Sequence, residues 1–330
     1  MAGLIISGLV KFKIDRMTWF ILGALALAVV LPVRGQAAEI YDHFTTAAVF
    51  VLFFGYGAKL STEETIAGIK HWRLHLTILA FTFVLYPLIS TPVLLLPDGI
   101  VSEAVKIGLI FLCLAPSTVQ SSINMTSVAG GNVPAAMISA TASNVLGVVL
   151  TPALVFLILG TTGTGGFSWQ IALDVFLKLL LPFFLGQLSR RWTAEFMDNN
   201  KKSLKWLDQA VIVFIVYGAF SEMFATGMWR KLTSADLIVT IAFTFPLLAF
   251  MLWLTWHAAG WLGFNREDKI AVMFCGTKKS LVTGVPIAAV LFPAATVGLI
   301  VVPLMIYHQA QILTSSVIAA RLAASGQQQG

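Results

Sequence analysis

The sequence predicts an all-α integral membrane protein with ten transmembrane helices. Three observations support this fold class: 58% of the 330 residues are apolar, only 11% are charged, and the mean hydropathy is +0.88. Soluble domains carry about 25% charged residues, so this chain has too few polar side chains to cover a water-exposed globule of its length. The sequence also lacks the alternating apolar pattern of strands in a membrane β-barrel.

The apolar residues fall into ten blocks with short intervals between them. Because a helix needs about 20 apolar residues to cross a bilayer, these blocks predict a single bundle with no soluble domain. Predicted helices one to ten, in chain order, cover residues 17–33, 44–60, 73–96, 104–128, 133–160, 170–189, 206–227, 235–263, 270–290 and 293–319.

The positions of lysine and arginine predict the orientation. Loops on one side carry most of these residues, whereas the other side receives Arg34, Lys106, Arg230 and Lys231. Basic loops stay in the cytoplasm, so we expect a multi-pass protein of the inner (cytoplasmic) membrane with both termini cytoplasmic and residues 320–330 as a tail. The net charge of +6 then reflects topology and contact with the lipid bilayer, and requires no nucleic-acid partner.

The N-terminal segment admits a second interpretation. A basic stretch, an apolar run and then Gln36-Ala37-Ala38 resemble a signal peptide with its cleavage site. Pro32 and Arg34 interrupt that pattern, and cleavage would leave nine helices. We therefore favour a retained first helix.

Short motifs recur about 160 residues apart, in the same order along the chain. Each half, residues 17–160 and 170–319, then holds five helices, and an odd number of spans forces the halves into opposite orientations, as inverted repeats. The uncharged residues 161–166 are the predicted linker. The recurring pairs are Tyr56-Gly57-Ala58 with Tyr217-Gly218-Ala219, Pro87-Leu88 with Pro246-Leu247, Cys113 with Cys275, and Pro134-Ala135-Ala136 with Pro293-Ala294-Ala295.

Two polar segments, residues 116–122 and 276–284, interrupt predicted helices four and nine, which the repeat aligns. Broken spans at matching positions are typical of a secondary transporter's binding site, because half-helix N-termini suit an anion and freed backbone groups require polar partners. The alternative is that small residues there only permit close helix packing. The candidate binding residues are Ser117, Thr118, Gln120, Ser121, Ser122, Asn124, Thr277, Lys278, Lys279, Ser280 and Thr283.

Lys278 and Lys279 place positive charge at mid-span, where charge is costly and usually functional. Adjacent residues lie about 100° apart on a helix, so we expect one lysine to face the site and the other to snorkel, neutralise or cap a carbonyl. Neither has a carboxylate within its own broken helix or the repeat mate. An anionic substrate is our preferred counter-charge; a coupled proton on the lysine is the other interpretation.

Two further polar sets lie in predicted spans. They are expected either to face the crossing of the broken helices or simply to pack there. These residues are His308, Gln309 and Gln311 in helix ten, and Ser139, Thr141, Ser143 and Asn144 in helix five.

The chain resembles the bile acid:sodium symporter superfamily, and within it the bacterial branch related to orphan, non-bile-acid animal members. That resemblance implies inverted five-helix repeats, a core domain with crossing broken helices four and nine, a four-helix panel domain, and substrate binding in the crevice between them with alternating access. It covers nearly the whole chain. Its most specific pieces are Gly55-Tyr56-Gly57-Ala58-Lys59-Leu60-Ser61, His71-Trp72-Arg73-Leu74-His75, Ala129-Gly130-Gly131-Asn132-Val133, Phe274 through Ser280, and Pro303-Leu304-Met305-Ile306-Tyr307-His308-Gln309.

The sequence departs from that superfamily at its sodium ligands. The resemblance implies a glutamate and a glutamine on the second broken helix, but Phe274 and Lys278 fall at those positions. We expect Lys278 to occupy the space of the missing cation. Ser122 keeps a hydroxyl, so the alternative is a residual sodium site near Ser122. No cofactor is expected beyond a coupling ion, Na⁺ or H⁺.

The expected function is secondary active transport of a small or amphipathic organic anion. An enzyme is disfavoured because the spans contain no Asp pair, His-rich metal motif or Gly-x-Ser-x-Gly. The alternative is a channel-like or non-transporting regulator of ion homeostasis on the same fold. The sequence leaves open the substrate, the choice between symport and antiport, and the formation of a homodimer.

Overall fold

The computed structural model describes residues 16–59, 71–97, 99–160 and 169–327, and these residues form helices and short connections without a strand. Two helices are broken, and their halves are labelled a and b. In chain order the helices are α1 (Arg16–Val30), α2 (Gln36–Lys59), α3 (Trp72–Leu95), α4a (Glu103–Leu114), α4b (Gln120–Val128), α5 (Val133–Leu159), α6 (Trp169–Asn199), α7 (Lys201–Ala225), α8 (Ser234–Trp261), α9a (Arg266–Thr277), α9b (Leu281–Leu291) and α10 (Ala294–Gln327).

Eight segments in the described part of the chain are long and apolar enough to cross a membrane, which confirms the all-α membrane class. The two remaining predicted spans are also helical but shorter: α1 has 15 residues, and α4a and α4b have 12 and 9. Ten crossings therefore stay a prediction. The predicted linker, residues 161–166, lies outside the described residues.

Three predicted helix limits differ most from the structure, and one is the end of the helix expected over 170–189, which continues to Asn199. The helix expected over 293–319 continues to Gln327, through most of the predicted tail, because that stretch contains Ala320, Leu322, Ala323 and Ala324, which favour the helix. The second predicted helix begins at Gln36 instead of residue 44, so the residues that resemble a cleavage site form the first turn of α2.

The helices pack as two groups. In the four-helix group, α1 packs on α7, and α2 packs on α6 and α7. In the six-helix group (α3, α4, α5, α8, α9 and α10), α10 packs along α4a and α8, while α9a packs against α3, α5 and α8. Contacts of α7 with α9b and α10 join the groups. The broken helix α9 is almost wholly buried, whereas only a small part of α2 is buried.

Two glycines let α2 and α6 touch backbone to backbone. A Cβ on Gly57 would collide with the carbonyl oxygen of Phe183, and a Cβ on Gly186 would collide with that of Phe54. Small residues commonly permit such close approach between membrane helices. This contact sets the position of the C-terminal turn of α2, where Tyr56 and Lys59 lie.

Candidate functional site

The two predicted interruptions are breaks in the helices, and they contact each other. Residues 115–119 and 278–280 leave the helical conformation, and we call these two segments the crossing. The Ser280 N–H donates to the Pro116 carbonyl at 2.7 Å, and Ser117 Oγ donates to the Cys275 carbonyl at 2.6 Å. The crossing thus satisfies inside the protein part of the backbone that both breaks expose.

Helix α5 supports the crossing with polar side chains. The Ser117 N–H donates to Ser143 Oγ at 3.0 Å, and Asn144 Nδ2 donates to the Ser117 carbonyl at 2.7 Å. Thr283 Oγ1 donates to Asn144 Oδ1. The predicted polar stripe therefore faces the broken helices at Ser143 and Asn144, whereas Ser139 bonds to His75 Nδ1 at 2.6 Å.

Lys279 caps free carbonyl groups. Its fully buried Nζ donates to the carbonyl oxygens of Cys113 at 2.7 Å, Ala115 at 2.8 Å and Thr82 at 3.1 Å. The same atom lies 4.1 Å from the centre of the Tyr86 ring. Capping of a carbonyl was one of the three roles predicted for whichever of Lys278 and Lys279 does not face the site.

The local sequence explains why two of these carbonyls lack ordinary partners. In the π-helical turn Phe81–Leu85, the Tyr86 N–H bonds to the Phe81 carbonyl, so the equivalent partner of Thr82 would be Pro87, which has no N–H. The helical partner of Cys113 would be the N–H of Ser117, which bonds to α5 instead.

The backbone of Lys279 is fixed from α10. Its N–H donates to Gln311 Oε1 at 2.8 Å, and its carbonyl accepts from Gln311 Nε2 at 2.7 Å. The same carbonyl lies 3.2 Å from His308 Nδ1. His308 and Gln311 thus lie at the crossing, which was one of the two positions expected for them. Gln309, beside His308 in the chain, is half-buried.

Lys278 has a poorer set of contacts. Its fully buried Nζ lies 3.4 Å from the Ser121 carbonyl and 5.7 Å from the centre of the Phe274 ring. The Lys279 ammonium, not that of Lys278, therefore lies among several backbone oxygens. That Lys278 occupies a cation's space stays a prediction, and the three carbonyl partners, on α3 and at the end of α4a, belong to its neighbour Lys279.

A small hydroxyl cluster lies beside Lys278. Thr118 Oγ1 is 2.6 Å from Ser121 Oγ and 3.1 Å from Ser122 Oγ, and Ser122 Oγ donates to the Phe274 carbonyl at 3.3 Å. This is the place of the predicted residual sodium site. The described residues contain no group of three or more His, Cys, Asp or Glu side chains that could hold a metal ion.

Two buried tyrosines were missed by the sequence reasoning. The hydroxyls of Tyr86 and Tyr307 both donate to the Thr277 carbonyl, at 2.7 and 2.8 Å, and they also contact each other. They secure the C-terminal end of α9a just before the break. A buried tyrosine in an apolar span needs a hydrogen-bond partner for its hydroxyl. This requirement was the sequence signal that could have identified both residues. The Thr277 side chain itself donates to Met273 within the helix.

A cavity of about 1120 Å³ lies between the two helix groups. Gln120, Asn124 and Lys205 are exposed at its mouth, and Ser280 and Thr283 are buried in its wall. The predicted site residues that line it are Thr118, Gln120, Ser121, Asn124, Ser280, Thr283 and His308. Those outside its lining are Ser117, Ser122, Thr277, Lys278, Lys279 and Gln309.

The charged side chains of the cavity wall come from the four-helix group. Lys59 on α2 pairs with Asp208 on α7, and Lys205 Nζ donates to Gln120 Oε1 at 3.1 Å across the mouth. The sequence reasoning treated both lysines as cytoplasmic loop charges and missed them as site residues. Conversely, neither lysine of the crossing lines this cavity, because backbone carbonyls within the six-helix group bind their ammonium groups.

Comparison with known proteins identifies the family. Residues 15–324 match the SBF-like CPA transporter family. The chain is 43% identical to the uncharacterized protein PA2026 of Pseudomonas aeruginosa over 313 residues, which cover 95% of this chain and 94% of that protein. It is 42% identical over 308 residues to the protein of Escherichia coli named Putative symporter YfeH, covering 93% and 92%. It is 32% identical over 316 residues to sodium/bile acid cotransporter 7 of Danio rerio, covering 92% and 93%.

A match over nearly the whole chain agrees with the resemblance noted in the sequence and with the helical membrane fold. Two of these three relatives have names that describe transport, as a putative symporter and a cotransporter. The chain therefore belongs to the SBF-like CPA transporter family.

Proposed function

We propose that this protein is a secondary active transporter that carries a small or amphipathic organic anion across the inner membrane by alternating access. The observation that supports the proposal most is the cavity between the two helix groups, bounded on one side by the crossing and on the other by Lys59 and Lys205. Substrate sites of secondary transporters commonly lie at broken helices.

The charges of the cavity favour an anion. Asp208 already pairs with Lys59, whereas the acceptor of Lys205 is the neutral amide of Gln120. The first turn of α4b has no side-chain cap, and its residues Gln120 and Ser121 line the cavity. A helix N-terminus carries partial positive charge, which adds to that of Lys205.

The rest of the lining favours a substrate with an apolar part. Met17, Trp19, Val148, Ile212 and Ile312 contribute apolar surface to the cavity. Ligand sites usually combine such surface with a few polar groups that set orientation. An amphipathic carboxylate or sulfonate would place its charge near Lys205 and its apolar body against α1 and α7.

The proposed movement shifts the six-helix group against the four-helix group. The two groups contact each other mainly through α7 with α9b and α10. In the predicted orientation the mouth of the cavity, with Lys205 and the end of α2 at Lys59, faces the cytoplasm, so the conformation is inward-facing. The proposal keeps the ten crossings, the inverted five-helix repeats, and the core and panel domains that the sequence predicts.

Counterflow measures this function directly. Proteoliposomes loaded with a mixture of amphipathic carboxylates and sulfonates should accumulate a labelled member of that mixture transiently, and the uptake should saturate. Lys205→Met should weaken this uptake, whereas Lys202→Met, an exposed lysine on the same helix, should leave it unchanged. Conductance without counterflow would indicate a channel, and binding without flux would indicate a non-transporting regulator.

A further inference from the structure

We propose that the carbonyl oxygens of Thr82, Cys113 and Ala115 form a monovalent-cation site that the ammonium group of Lys279 occupies permanently. These three oxygens are called the carbonyl cage below. They come from α3 and from the end of α4a, and all lie within the six-helix group. The consequence for ion coupling rests on the transport function proposed above, whereas the cage itself does not.

Counting donors and acceptors indicates the charged form of Lys279. A lysine ammonium has three N–H donors and no acceptor, and the cage offers three acceptors at 2.7, 2.8 and 3.1 Å. A neutral amine has only two N–H bonds, so one of the three buried contacts would lack a hydrogen. Every donor of the buried ammonium thus has a partner.

Two further features favour a cation at this point. Cys113 and Ala115 lie at the C-terminal end of α4a, a helix of 12 residues, where the helix dipole places partial negative charge. The Tyr86 ring lies 4.1 Å from Nζ, within the range of a cation–π interaction. The Tyr86 hydroxyl points to the Thr277 carbonyl, which holds the ring in place.

Lys278 provides an internal comparison. The two lysines are adjacent, and both are fully buried. Among the described residues, Lys278 Nζ has one carbonyl contact, at 3.4 Å, and lies 5.7 Å from the centre of one ring. The cage is therefore a property of the Lys279 environment and not of burial as such.

A permanently bound ammonium group excludes ion coupling through the carbonyl cage. A free cation that binds between broken helices can leave, and its gradient can drive transport. A tethered ammonium cannot leave, and it moves with the six-helix group because every carbonyl it binds belongs to that group. On this basis the charge at the end of α4a stays compensated in every conformation without a sodium ion.

Chemical rescue tests the cage without a transport assay. Lys279→Ala deletes the atoms of an n-propylammonium ion, so that ion is the matched probe, and n-propanol is its neutral isostere. The melting temperature of the purified variant in detergent should rise saturably with the concentration of n-propylammonium chloride, because a ligand that binds only the folded state stabilises it. Choline chloride holds the ionic strength constant. The wild type should not respond, and Lys278→Ala, which leaves a similar hollow with one carbonyl, should respond less.

Three outcomes would overturn the proposal. The first is an equal response of Lys279→Ala to n-propanol, and the second is no response of a monodisperse sample to the amine. The third is a Lys279→Gln variant with the melting temperature of the wild type, since an amide supplies two donors and no charge. If Lys279→Ala folds only with an additive, the same comparison can be made from yields. The yield of monodisperse protein with n-propylammonium is then compared with the yield with n-propanol. Counterflow by the wild type is a separate measurement, so either proposal can fail alone.

Discussion

Lys205 on α7 donates a hydrogen bond to Gln120 on α4b, with 3.1 Å between Nζ and Oε1. The bond joins the four-helix group to the six-helix group at the mouth of the cavity. Both side chains are exposed, so their positions are accessible to reagents in the conformation described.

Cross-linking this pair should stop transport. If the two groups move against each other, Gln120→Cys with Lys205→Cys joined by a short bifunctional maleimide should lose most counterflow activity. The single-cysteine variants treated in the same way are the controls, and the native Cys113 and Cys275 are both buried. Counterflow by the double variant that is equal before and after cross-linking would refute relative movement of the groups at this point.

The ion pair of Lys59 and Asp208 should decide whether the charge of the cavity wall attracts or repels an anion. Lys59→Met leaves the Asp208 carboxylate in the cavity wall without its partner, and we expect anion binding to weaken about tenfold, or about 1.4 kcal/mol, because the carboxylate repels the ligand. Adding Asp208→Asn removes that repulsion and should recover part of the affinity. Titration of a bound anion measures both variants. A double variant no better than the single one would mean that Lys59 acts on the ligand only by direct contact.

Sodium should not stabilise the wild-type protein specifically. Phe274 provides no side-chain oxygen, and the ammonium groups of Lys278 and Lys279 occupy the neighbourhood of the crossing. The melting temperature in detergent should therefore be the same in NaCl and in choline chloride at equal ionic strength. A ligand that binds the folded state at a hundredfold excess over Kd adds about 2.7 kcal/mol of stability, so a saturable sodium-specific rise would be easy to see. Such a rise would restore a sodium site near Ser122.

The contact between α2 and α6 should tolerate no side chain at Gly57. Gly57→Ala would place a methyl group against the Phe183 carbonyl, and the helices would have to separate. We expect a loss of about 1–3 kcal/mol in unfolding free energy, as for other overpacked sites. Gly55→Ala on the same helix meets nothing within 4 Å and is the matched control. Equal melting temperatures for the two variants would contradict the close approach.

The breaks in α4 and α9 could be predicted because local chemistry produces them. Pro116 removes a backbone donor, and a run of serine, threonine and lysine is incompatible with a lipid-facing helix. The polar face of α5 at Ser143 and Asn144 could be anticipated in the same way.

The separate environments of the two lysines could not be predicted. Adjacent residues at a break can turn either way, and the outcome depends on which carbonyls on other helices lack partners. Pro87 frees the Thr82 carbonyl on α3, and Lys279 reaches it across the crossing. That pairing joins residues far apart in the chain, so neither local pattern contains it.

The sequence by itself determined the membrane class, the helical segments and the position of both breaks, because hydropathy and backbone hydrogen bonding act over a few turns of one helix. Only the tertiary structure decided where the charges of the site lie. The cavity between the two helix groups is lined by Lys59 and Lys205, which lie near helix ends, while Lys278 and Lys279 are buried at the crossing. The physical reason is that a cavity, and the meeting of a free carbonyl on one helix with a lysine from another, arise from the packing of helices against each other, which no single segment encodes.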